Sequence, residues 1–65
     1  MNDVLERLRK TIREDMTLDT DTLATGACAD FSAYTKLCGA IQGLAVAERH
    51  LLDLAEELRN DDDED

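Results

Sequence analysis

The residues of this chain equipped for chemistry are a lone histidine, His50, two cysteines, Cys28 and Cys38, and adjacent acids such as Glu14/Asp15 and Glu56/Glu57. The reactions they suggest are metal ligation, nucleophilic attack and proton transfer. Cys28, Cys38 and His50 lack any spacing that builds a tetrahedral zinc site. A nucleophilic cysteine needs a base within hydrogen-bond reach and a concave site, whereas Cys38 falls among apolar residues as a small filler. Neighbouring acids on a helix point about 100° apart and form no acid–base dyad. Glycine-rich phosphate loops, nucleophile elbows and nucleotide fingerprints do not occur. No enzymatic activity, cofactor or metal is therefore expected, and His50 reads as a solvated residue on the polar side of a helix.

Among the elements that carry these side chains, one is marked by Leu37, Leu44, Leu51 and Leu58, which recur every seven residues, with Tyr34, Ile41 and Ala55 at the interleaved positions of a coiled-coil seam. Phe31, Cys38, Ala40, Ala45, Ala47, Leu52 and Leu54 widen the apolar arc to roughly 200°, about twice what a surface helix needs. Glu48 occupies a seam position where an apolar residue is expected. Either its stem lies on apolar surface with the carboxylate in water, or an arginine of another helix, for instance Arg13, meets it and sets the register. Gly39 and Gly43, with Ala47 one turn on, form a column of small residues. It fits a tight crossing against a first helix or a groove for a foreign one.

That first helix is expected from Asn2 or Asp3, which can cap it, with Leu5, Leu8, Ile12, Met16 and Leu23 on one stripe, Val4 beside it and Asp19 interrupting it. Helices are predicted over 3–24 and 30–59, the second capped by Asp30 and ended by Asn60, with a turn over 25–29 that contains Gly26. The fold class is all-α: an antiparallel two-helix hairpin over 1–60, its core completed by association, followed by an acidic tail over 61–65. A chain this short buries only about 60% of its unfolded surface, so it needs help from outside. A disulfide does not supply it: ten residues apart, Cys28 and Cys38 would lie roughly 12–15 Å from each other on a helix. No secretory signal opens the chain, so it is expected in a reducing compartment, and no run approaches the ~20 apolar residues of a membrane span.

Sixteen acids against seven lysines and arginines give a formal charge of −9, which argues against direct contact with nucleic-acid phosphates and for basic protein surfaces. Arg7, Arg9, Lys10 and Arg13 cluster in the first helix, while residues 61–65 are all acidic. That terminus is a solubilising end, a clamp for a basic groove, or part of a phosphate mimic that blocks a nucleic-acid-binding protein.

The segment Leu23–Leu54 resembles small helical proteins of the head-morphogenesis modules of tailed bacteriophages, through a glycine turn (Gly26), an Asp-Phe-x-x-Tyr helix start (Asp30, Phe31, Tyr34) and a Gly-x-Ile-x-Gly-Leu centre (Gly39, Ile41, Gly43, Leu44). The resemblance implies a virion structural or head-assembly accessory, located in the virion or the host cytoplasm and not secreted, with a capsid or portal protein as partner. It transfers no catalytic residue. The function expected is therefore docking of an apolar helix face on a larger protein, on a second copy, or both. Leu37, Ile41, Leu44, Leu51 and Leu58 would supply the burial, and Gly39 and Gly43 the approach distance. The alternative is an acidic inhibitor or DNA mimic acting on a host nucleic-acid-binding protein.

Overall fold

The computed structural model describes residues 2–63, and the side chains of 2–60. Helix α1 spans Asp3–Ala24 and helix α2 spans Phe31–Asp63; they pack as an antiparallel hairpin measuring 54 × 16 × 13 Å. The Asn2 Oδ1 accepts the Val4 N–H at 2.8 Å, and Asp3 and Glu6 place negative charge in the first turn of α1. The first satisfies a free amide of the opening turn, and the second complements the positive end of the helix. The threonines that weaken the propensity of α1 are absorbed within it. Thr11, Thr20 and Thr22 donate their hydroxyls to the carbonyls of Arg7, Met16 and Leu18 one turn back, so they do not compete with the helical ladder.

Gly26 ends α1 at φ +69°, a left-handed conformation that costs glycine little. The Gly26 N–H reaches the Leu23 carbonyl and the Ala27 N–H the Thr22 carbonyl, each at 3.2 Å, a Schellman closure of the last turn. Asp30 then caps α2, its Oδ1 accepting the Ala33 N–H at 2.8 Å.

Two boundaries differ from the sequence expectation. Asp30 stands outside the helix as its cap, so α2 begins at Phe31 and the connection runs over 25–30 rather than 25–29. Nor does Asn60 stop α2, which continues to Asp63. Asparagine is only mildly unfavourable inside a helix and neither glycine nor proline follows it, so each added residue still gains its backbone bond. The acidic segment expected as a separate tail is thus helical over 61–63, while 64–65 lie outside the described residues.

Ile12 and Leu51, at 8% and 5% exposure, are the buried apolar residues among those described. Leu5, Met16 and Leu23 of α1 and Leu37, Ile41, Leu44 and Ala55 of α2 are half-buried around them. Leu8 leaves the expected stripe and is exposed, because the α1 interface is rotated to bring Arg9 toward α2 instead.

Candidate docking face

The centre of the hairpin is an ion cluster. Glu48 is buried to 8% exposure between Arg9 and Arg13. Arg13 grips the carboxylate with two donors, Nε on Oε2 and Nη2 on Oε1 at 3.0 Å, while the Arg9 Nε approaches Oε2 at 3.5 Å. The planar guanidinium fork matches the two carboxylate oxygens. The hydrogen bond from Arg13 holds the Glu48 carboxyl below the ordinary glutamate range, against the opposing effect of burial. Of the two readings open for Glu48, the one with its carboxylate in water is overturned: an arginine of α1 meets it. Because Arg9 and Arg13 lie one turn apart and straddle Glu48, the turn of α1 between them faces the Glu48 turn of α2.

That register accounts for the fate of each expected docking residue. Leu51 is buried and Leu37, Ile41 and Leu44 are half-buried. With α1 as the other helix, it is α1 that covers them. Leu58 is 41% exposed because it lies beyond the level of Asp3, the first residue of α1, where cover runs out. Phe31 and Tyr34 overhang the other end, stacked on each other at 6.2 Å between ring centroids and exposed. Gly39 and Gly43 are exposed, and a Cβ on either would meet nothing within 4 Å. The tight crossing against the first helix is therefore not made; both glycines face away from α1. Cys28 and Cys38 are free thiols, and His50 is exposed.

Two apolar flanks flow from this geometry, and they share a side. At 100° per residue, Val4, Leu8 and Leu18 lie roughly 65–145° to one side of the α1 contact line, an arc they share with Thr11, Asp15 and Thr22. Ala40, Ala47, Leu54 and Leu58 lie roughly 55–95° to one side of the α2 line. In an antiparallel pair these displacements fall on the same side of the hairpin. The groove at the closed end shows it directly, since Thr22 of α1 lines it together with Ala33, Lys36, Leu37 and Ala40 of α2. Val4, Leu8, Leu18, Leu54 and Leu58 are all exposed there. The opposite side instead carries Arg9, Arg13 and Arg49 around Ala45 and Leu52.

By sequence alone Ala40, Ala47 and Leu54 fall merely within a broad arc, and Val4 beside a stripe. A second heptad was present to be found: Ala33, Leu37, Ala40, Leu44, Ala47, Leu51, Leu54 and Leu58 alternate at steps of four and three without a polar break. Among the described residues no group of three or more histidines, cysteines and acids could hold a metal, and no helix is long and apolar enough to cross a membrane. No protein family, curated protein or solved structure matches the chain.

Proposed function

We propose that this chain is a non-enzymatic assembly protein that works by burying its one-sided apolar face against protein. One observation carries the reading: among the described residues, five of the eight exposed large apolar side chains, Val4, Leu8, Leu18, Leu54 and Leu58, share one side of a hairpin whose buried apolar core is Ile12 and Leu51, the others being Phe31, Tyr34 and Val46. Full burial of each would contribute about 1.5–3 kcal/mol, and solvent exposure forgoes that gain. The likeness of Leu23–Leu54 to phage head-morphogenesis proteins supports a virion or head-assembly setting, in which the chain, assembled through this face, meets a capsid or portal protein.

The test is capture of that partner from particles or infected cells by the intact chain and by two sets of variants. Leu54→Glu and Leu58→Glu should abolish capture, and neutralising the acids of 61–65 should leave most of it. The reverse ranking would replace this reading with the acidic inhibitor or DNA mimic, for which carboxylates rather than leucines carry the contact.

A further inference from the structure

We infer that the occupant of the apolar face is a second copy of this chain, joined in an antiparallel four-helix bundle whose twofold axis passes level with Thr11 and Glu48. The inference rests on the apolar-face reading above and names its partner. Area comes first. The chain exposes 5136 Å² at 7.2 kDa, where a compact monomer of that mass exposes about 4,100 Å². The excess of about 1,000 Å² matches the ~800 Å² per partner that a stable interface covers. The Cα radius of gyration, 15.5 Å, likewise exceeds the ~11 Å of a compact chain of this length. Laying a second hairpin on the exposed side supplies the missing layer.

Size complementarity selects a copy of this chain as that layer. When α2 is laid antiparallel on itself along the uninterrupted heptad, Ala40 falls opposite Leu58, Leu44 opposite Leu54, and Ala47 opposite Leu51. The first and last of these match a small residue to a large one, the interdigitation that lets helices approach closely. The centre of that register lies beside Glu48. Of the three exposed large residues of α1, Val4 and Leu18 fall opposite each other about Thr11, while Leu8 falls opposite Glu14. The Arg9–Glu48–Arg13 cluster brings the Thr11 turn of α1 beside the Glu48 turn of α2, the turns about which both registers centre. Charge agrees as well, because the α2 register brings exposed Lys36 of one copy level with the acidic residues 61–63 of the other. Gly43 then lies on the face turned to the partner, where its missing side chain allows close approach.

Sedimentation equilibrium of the full chain should give twice 7.2 kDa at tens of micromolar; a monomer throughout that range overturns the pairing. Ala47→Glu and Leu54→Glu should each raise the dissociation constant at least about tenfold while keeping the helical circular dichroism, and Ala45→Glu on the other side should leave the dimer intact. Dimers indifferent to Ala47→Glu and Leu54→Glu, or dissociated by Ala45→Glu, overturn the choice of face. In a Cys28→Ser, Cys38→Ser background, Thr11→Cys should crosslink readily across the axis and Thr22→Cys should not; the opposite result overturns the register. A monomer whose capture of a larger partner is still lost in Leu54→Glu sinks the pairing and spares the docking reading. A monomer whose capture ignores that substitution sinks both.

Discussion

At the scale of single residues, Glu48 decides how the hairpin is assembled. A carboxylate in an apolar seam is tolerated because Arg13 and Arg9 satisfy it, while the two guanidinium groups keep 58% and 36% of their side-chain surface in solvent. Its folded-state pKa is lowered. Its contribution to stability is therefore complete above the ordinary glutamate value, near 4.5, and is lost as pH falls through the lower folded value. Thermal melts followed by circular dichroism across that range should show the wild-type chain losing more stability on acidification than Glu48→Gln. The difference between the two isolates Glu48 from the other carboxylates, and identical slopes would mean that the cluster does not form in solution. Leu51→Ala on the neighbouring turn should cost about 2–5 kcal/mol, as for other buried leucines. A loss of that size is a large share of the stability available to so small a core. The oddity of Glu48 is visible in the sequence; which of its two readings holds is not, because that depends on the rotation of α1, and the exchange of Leu8 for Arg9 at the interface cannot be read from a stripe that contains both.

Whole elements are most legible where a local hydrogen-bond device marks their ends. Asn2, Gly26 and Asp30 are chemically suited to capping, and each acts on the backbone groups beside it. The far end of α2 has no such device, which is why its extension through Asn60 to Asp63 could not be placed from residue types. The phase of α2 was only half legible, since Leu37, Leu44, Leu51 and Leu58 belong equally to the seam containing Glu48 and to the one containing Ala40 and Ala47. The first faces α1 and the second lies toward the exposed side. The glycines separate the two faces experimentally. Gly39→Ala should stabilise the fold by about 0.8–1.0 kcal/mol through helix propensity alone, because nothing lies within 4 Å of the added carbon. Gly43→Ala should give the same gain within the hairpin and yet weaken self-association, because the new methyl meets the second copy. Chemical denaturation paired with sedimentation reads both effects, and equal behaviour of the two variants would place Gly43 outside the contact. Replacing Gly26 with alanine should instead destabilise the hairpin by about 1–2 kcal/mol, the cost of a left-handed residue bearing a side chain.

For the molecule as a whole, charge and apolar surface make opposing demands, and salt distinguishes which one governs association. Each copy carries a formal charge of −9, so two copies repel at long range while the leucine and alanine face draws them together at contact. Two cations of the basic cluster, Arg9 and Arg13, are already engaged by Glu48 inside each hairpin and contribute little to offsetting that repulsion. Raising the ionic strength shortens the screening length from about 30 Å at 0.01 M to about 8 Å at 0.15 M. The dimer should therefore tighten as salt is added over this interval. An acidic protein that binds a basic groove through its carboxylates behaves in the opposite sense, its affinity falling with salt as the attraction is screened. Sedimentation of the chain alone and capture of a larger partner, each measured across the same salt series, should both strengthen or hold if the apolar face makes the contact. A steep fall in either would show that the acids, and not the leucines, govern that association.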